Sequence, residues 1–407
     1  MIHNHSSRSF LFVCAFYLLV GICKLSAQTN YQTDFSKFLN DFRQNFAYLE
    51  ERKIDLEKIR AFYEADLQKV KTNREFVTFL ERVLTEFYNG HISLNTNTAS
   101  SNRIIPSGAD IFAERSQNRY LISDLRKDAA AELSGLEKGM EIIAFNDEPV
   151  DKALQEFLPK TADSLTEAMY SYALNMLLAG SRDRERKITV IHNGKEQDFY
   201  PDRNKTELSK SLLAVKQLKD QISYIKINNT LGNYDLIPKF DAALDSLLDA
   251  KTIILDLTDT PGGGNTTVAR ALMGRFIEKE QPYQMHMYIE KPIGTVRKWI
   301  ELVSPRGKVY KGNLIVLVGH WTGSMGEGIA IGFDAMQRAK IVGTQMAGLI
   351  GAIYTFEMPM TGIRYSVPAE KMYHIKGTPR ENFIPEYHTK NSEETFTKAL
   401  ELAKEYP

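Results

Sequence analysis

A hydroxyl, an imidazole and a carboxylate can together cleave an acyl bond. A base must take the hydroxyl proton, and fixed N–H groups must receive the negative charge that develops. The sequence offers each of these groups. Ser324 stands in Thr322-Gly-Ser-Met-Gly-Glu327, just after the apolar run Leu314–Val318. A serine at a strand-to-helix junction sits where free N–H groups and the helix dipole favour negative charge, although the same position also suits a simple N-cap. Thr322 occupies the place of the first glycine of the α/β-hydrolase elbow, so that motif is not present. A second junction, Asp256-Leu-Thr-Asp-Thr-Pro-Gly-Gly-Gly264, follows another apolar run. Its glycines let backbone amides come close to a ligand. No Gly-Lys-Ser/Thr follows, which excludes a nucleotide phosphate loop and leaves an oxyanion hole or a tight turn.

The candidate bases are His91, His192, His286, His320, His374 and His388. His91, in Phe87-Tyr-Asn-Gly-His-Ile92, lies in a glycine-flanked loop past the end of a helix. His192 and His286 fall in strand-like stretches and read as structural. His320 closely precedes Ser324 and is expected to line the same cleft.

Both cysteines, Cys14 and Cys23, lie near the N-terminus, where Arg8 precedes the apolar run Phe10–Cys23 and small residues follow at Ser26 and Ala27. This is the layout of a secretory signal cleaved after Ala27, which predicts an exported, periplasmic or secreted protein. The run is short for a membrane span of about 20 residues. An uncleaved anchor or a lipid-modified Cys23 is the lesser alternative, and Ile22 stands where lipid modification wants a small residue. Beyond residue 27 there is no cysteine, so a thiol nucleophile, a cysteine zinc site and a disulfide framework are excluded. No metal cluster or cofactor motif is evident. Lys+Arg and Asp+Glu both number 51, so bulk charge does not argue for nucleic acid or an anionic membrane.

The elements that must position these groups fall into three stretches. Phe35, Phe38, Leu39, Phe42, Phe46 and Leu49 recur at helical spacing. A second helix starts near Asp55, and Thr72–x–x–Glu75 opens a third as a capping box, with Gly90 as its stop. These predict a helical bundle over 28–100, ending in the polar stretch Asn95 to Asn102. Short strands at 119–124, 141–145 and 187–192, a hairpin turn at Asn193–Gly194 and a helix over 163–178 predict a β-rich domain over 101–205. From 206 to 407, apolar strands at 222–227, 252–257, 313–319 and 339–343 alternate with helices at 234–250, 265–277 and 324–338. That alternation predicts an α/β layered domain with substantial parallel pairing.

In this order the elements resemble the tail-specific, or C-terminal-processing, serine peptidases, whose relatives include the tricorn protease core. The resemblance covers nearly all of the chain beyond the signal. It implies a multidomain α+β protein, with a helical region, a PDZ-like domain and a catalytic domain of the crotonase and Clp-protease type. Ser134-Gly-Leu-Glu-Lys-Gly-Met-Glu-Ile-Ile-Ala-Phe-Asn-Asp-Glu-Pro-Val150 is similar to the PDZ stretch of that family. The family's Asp-Leu-Arg-x-Asn-x-Gly-Gly segment corresponds to Asp256 through Gly263, with Thr258 and Thr260 replacing its Arg and Asn. Its Ser–Lys branch carries a lysine where this chain has Leu349, which argues against that dyad. The tricorn-like branch uses a Gly-His loop, matched by His91, and a late glutamate, resembled by Glu381 in Glu-Asn-Phe-Ile-Pro385. Gly90 stands where the tricorn core has a supporting serine.

The resemblance therefore implies Ser324 as nucleophile, His91 as general base and Glu381 in support. The oxyanion hole would draw on the amides of Met325 and of Gly262 or Gly263, with peptides or unfolded proteins, presented by their C-termini, as substrates. Lys340 and Lys371 are the fallback bases. A non-catalytic binding protein on the same fold, as among the retinoid-binding relatives, is the alternative, and the lost Arg and Asn favour it. Acyl-CoA chemistry of the crotonase kind conflicts with export.

Overall fold

The computed structural model describes residues 30–204, 206 and 211–405. The signal expected over 1–27, with Cys14 and Cys23, lies outside them.

Three helices open the described chain: 30–45, Leu56–Leu67 and Asn73–Leu84. Asp55 caps the second by accepting from the amides of Glu57 and Lys58. Thr72 and Glu75 form the reciprocal capping box of the third. The phenylalanine stripe is buried, but the helices do not close a core of their own. Ile350, Met358, Ile363, Tyr365 and Val367, from the C-terminal half, complete it, and the rings of Phe38 and Tyr365 lie 5.0 Å apart. The third helix stops at Leu84, before the expected glycine. A 3₁₀ turn, Thr85–Phe87, and a left-handed Tyr88 (φ 36°) then swing residues 89–92 toward the C-terminal half. Gly90 is needed for a different reason: a Cβ there would lie 2.0 Å from the Ile105 carbonyl oxygen.

The middle module is an antiparallel sheet in the order Ile111–Ser116, Arg119–Leu125, Glu141–Phe145, Ile188–His192, Lys195–Phe199, with the helix Glu167–Ala179 packed on the first strand. Asn193 and Gly194 both adopt positive φ in the final hairpin turn, as a two-residue turn of matching twist requires. The outer edge of Ile111–Ser116 is engaged. Asn175, buried on the helix, accepts from the Ala113 N–H through Oδ1 and donates to the Ala113 carbonyl through Nδ2, both at 3.1 Å. A side-chain amide thus makes the pair of bonds that an added strand would make there.

The C-terminal half contains a six-stranded sheet in the order Tyr387–His388, Lys340–Gly343, Asn313–Val318, Thr252–Asp256, Ile222–Ile227, Leu213–Gln217. All neighbours are parallel except the last pair. Every residue of Thr252–Asp256 is buried, as expected of a parallel strand covered on both faces. Strand–helix alternation does not describe the whole half. A second sheet pairs Arg364–Tyr373 with Ser93–Leu94, Gln281–Glu290 and Ala352–Glu357, and Thr295–Val303 extends it. Residues 93–94 thereby place the segment after the early helices against the C-terminal half. Among the described residues no helix is long and apolar enough to cross a membrane.

Candidate active site

Strands Thr252–Asp256 and Asn313–Val318 are parallel neighbours, so the loops at their C-terminal ends emerge side by side. Thr260 and Thr322 continue the pairing as an isolated parallel bridge. The glycine cluster is thereby pressed against the turn that carries Ser324. A Cβ on Gly326 would meet the Thr260 hydroxyl at 2.4 Å, and one on Gly263 would meet Ser324 Cβ at 2.5 Å. Ser324 is the N-cap of helix Met325–Ala335, with φ 52° and ψ −108°. A non-glycine residue in that region stores about 1–3 kcal/mol and persists only where its surroundings hold it. One holder is Glu327, fully buried, whose carboxyl accepts the Ser324 N–H at 2.7 Å.

His91 reaches the same point from the early loop. Its Nε2 lies 3.1 Å from Ser324 Oγ, and its Nδ1 lies 2.7 Å from the carbonyl oxygen of Ile350. A carbonyl can only accept, so Nδ1 carries the proton and Nε2 presents its lone pair to the serine hydroxyl. The His91 main-chain N–H is donated to Asn89 Oδ1 at 3.0 Å. His91 is buried, and burial, with the Arg380 guanidinium as the second cause, pushes its pKa down from 6.5 to about 4.

The Ile350 carbonyl that orients His91 belongs to a loop tied on every side. Glu327 accepts from the amides of Gly348 (3.0 Å) and Leu349 (3.3 Å). Asn89 Nδ2 donates to the Gly348 carbonyl at 3.0 Å. Buried Arg380 donates to the carbonyls of Leu349 (3.0 Å) and Gly351 (2.8 Å), leaving the one between them for His91. Glu327 is held by burial near pH 7, well above the usual carboxylate range, with Arg380 the main opposing influence. Glu327, Arg380 and Asn89 were not singled out from sequence. Only Glu327 left a signal, a glutamate three residues after a serine at a helix start.

Glu381 lies beside this loop rather than against Ser324 and His91. No hydrogen bond joins it to His91 or Ser324. Its Oε2 is buried with no hydrogen-bond partner among the described residues, it neighbours Tyr48 and Arg380, and burial raises its pKa. Any effect it has on the pair therefore passes through its neighbours.

Of the amides expected to hold an oxyanion, that of Met325, at the first turn of the helix, has no partner among the described residues. The other two are engaged. Gly262 N–H is donated to Asn229 Oδ1 at 2.7 Å, and Gly263 N–H to the Thr260 carbonyl at 3.1 Å. The expectation that either stands free is corrected by these bonds.

Ser324 and His91 open on a cleft of about 590 Å³, walled by Arg103, Ile104, Pro106, Pro261, Gly262 and Leu349 among others, with no lysine in its lining. Lys371 is paired with Glu51 at 2.7 Å and Lys340 lies over the Tyr387 ring, so neither fallback base lines this cleft. His320 does not share it. It lines an adjoining cavity of about 450 Å³, which shares Gly90, Ile105, Pro106 and Leu349 with the cleft, and stacks on Phe112 at 3.6 Å. Burial pushes its pKa down to about 3. His286 lies between Glu370 (2.9 Å) and Glu301 (3.2 Å), and His374 lies 3.0 Å from Asp334. Among the described residues no group of acidic, histidine or cysteine side chains could hold a metal ion.

Residues 221–388 match the profile of Peptidase family S41, and residues 27–85 match the Tricorn protease C1 domain. Among solved structures, mature CPAF complexed with lactacystin superposes with a TM-score of 0.64 at 14% identity, covering 93% of this chain and 97% of the other. The photosystem II D1 C-terminal processing protease superposes at 0.55 and 13% identity, covering 88% and 93%. At these identities the structural likeness speaks for the fold, and the family match speaks for the chemistry.

Proposed function

We propose that this chain, a serine-type peptidase of family S41 with a tricorn-like N-terminal segment, cleaves peptide bonds through Ser324 with His91 as general base. The observation that carries the proposal is the alignment of Ile350 carbonyl, His91 Nδ1–H, His91 Nε2 and Ser324 Oγ. His91 Nε2 takes the hydroxyl proton as Ser324 Oγ attacks the peptide carbonyl. The Met325 N–H receives the oxyanion. His91 then passes the proton to the leaving amine, and the acyl-serine is hydrolysed by a water that the same imidazole activates. A carbonyl orients the base here instead of a carboxylate. The tautomer is fixed, but the imidazolium gains less than a buried anion would give it. Glu381 supports the pair indirectly, through Arg380 and the loop over 348–351.

The substrates are peptides or unfolded proteins outside the cytoplasm, and the layout of residues 8–27 supports export. Recognition by C-termini through strand addition on Ile111–Ser116 requires the incoming chain to take over the bonds that Asn175 makes to Ala113. A fluorophosphonate probe tests the core of the proposal. The wild-type chain should be labelled and Ser324→Ala should not, and His91→Ala should label slowly and lose casein cleavage by about 10²–10⁴-fold. Equal labelling of Ser324→Ala removes the serine from the mechanism. No labelling of the wild type leaves a ligand-binding protein on the same fold.

A further inference from the structure

Two residues of the oxyanion-loop signature differ in this chain, because Thr258 and Thr260 stand where the resembling family has Arg and Asn. Thr258 turns inward, its N–H and hydroxyl both donated to Asp256 Oδ1 at 2.7 and 2.6 Å. The Thr260 hydroxyl goes to the Leu257 carbonyl at 2.8 Å. Neither threonine side chain holds the glycines that follow, so another group must fix the peptide that leads into them.

We infer that Asn229 is the residue that positions this loop, an inference that rests on the peptidase reading above. Asn229 follows the strand Ile222–Ile227 and adopts a left-handed conformation, φ 54°. Its Oδ1 accepts the Gly262 N–H at 2.7 Å. The other end of the same peptide plane, the Pro261 carbonyl, accepts from Ser107 Oγ at 3.2 Å. The plane between Pro261 and Gly262 is therefore clamped from two sides by side chains of distant segments. Gly263 comes next, and a Cβ on it would touch both Ser324 Cβ and the Met325 N–H, at 2.5 and 3.2 Å. Rotation of the clamped plane would move the wall against which the nucleophile and the free Met325 amide rest. An asparagine in left-handed backbone is often only a turn residue. The short bond to an amide beside the nucleophile is what a turn role does not require.

The left-handed backbone supplies clean variants. Asn229→Gly keeps that conformation and loses the acceptor, whereas Asn229→Asp keeps both. In the full chain, with an internally quenched peptide, Asn229→Gly should lower kcat up to about a hundredfold, the scale of a misplaced reacting group, with KM and Tm near wild type. Affinity for a peptide aldehyde, which builds a tetrahedral oxyanion on Ser324, should fall in parallel with kcat. Asn229→Asp should fall between Asn229→Gly and wild type. Unchanged or raised kcat in Asn229→Gly overturns the inference, as does a fall in kcat without a fall in aldehyde affinity, or an Asp variant no better than the Gly variant. Ser324→Ala, assayed alongside, separates the two levels. Persistent activity there overturns the peptidase reading and this inference together, while a dead Ser324→Ala with a fully active Asn229→Gly overturns only the inference.

Discussion

Gly263→Ala adds one methyl group at the tightest point of the site. Its Cβ would lie 2.5 Å from Ser324 Cβ and 3.0 Å from Ser324 Oγ. Carbon atoms rest at roughly 3.5–4.0 Å, so serine and loop must part by about 1 Å. The Ser324 Oγ to His91 Nε2 distance is 3.1 Å. Moving the serine by about 1 Å along that line takes the pair beyond the roughly 3.2 Å at which N···O bonds are ordinarily made. A shift of that size costs about a hundredfold in rate. The substitution also forces alanine into left-handed backbone at φ 63°, a cost of about 1–2 kcal/mol, and overpacking adds about 1–3 kcal/mol. Gly362→Ala is the matched control. Gly362 has φ 70°, but a Cβ there would find nothing within 4 Å. It should lose the backbone share of stability and keep full activity. Rates of fluorophosphonate labelling and peptide hydrolysis, read beside urea denaturation, separate the two effects. If Gly263→Ala hydrolyses peptide as fast as Gly362→Ala, the close packing of the glycine loop against Ser324 does not set the geometry of the nucleophile.

Three further outcomes follow from groups already described. Because the pKa of His91 is pushed from 6.5 down to about 4, the base is free above that value. The acid limb of kcat/KM should therefore fall near pH 4, and a limb near 6.5 would show a solvated imidazole. The same shift lowers stability as pH drops from 6.5 toward 4, because the unfolded chain takes up the proton first. Glu327, raised from 4.5 to about 7, acts in the opposite sense. Its contribution is present below 4.5 and lost as pH rises toward 7, so the two groups oppose each other between about 4.5 and 6.5. In the middle module, Asn175→Ala strips the Ala113 N–H and carbonyl of their buried partner. It should destabilise the chain by about 2 kcal/mol or more in urea denaturation, while raising affinity for a fluorescent peptide with a free C-terminus. Tighter binding in the wild type than in the variant would refute the idea that Asn175 occupies the edge.

The parts of this site that could be read from sequence are those whose chemistry is local. Ser324 and His91 announce themselves by type, flanking glycines and order, and the strands around them by unbroken apolar runs. The supports were hidden because each acts on main-chain atoms far along the chain. Arg380 grips the carbonyls of 349 and 351, Asn229 grips the amide of 262, and Asn89 ties the early loop to the Gly348 carbonyl. A side chain that binds backbone leaves no complementary residue type at the other end to be noticed. The second sheet was missed for a related reason. Gln281–Glu290 mixes Gln, His and Tyr with Met because its inner face holds a polar cluster around His286 and Glu301, which blurs the alternation. Glu381, expected in support of the site from the resemblance, has no hydrogen bond to His91 or Ser324 and neighbours Tyr48 and Arg380 instead.

The imidazole of His91 and the hydroxyl of Ser324 are separated by 233 positions along the polypeptide. A ribosome releases the imidazole early and the hydroxyl much later, and the arginine that braces the loop between them later still. In the extended chain the pair does not exist. The contact between His91 and Ser324 arises only when the early loop and the C-terminal half close on each other.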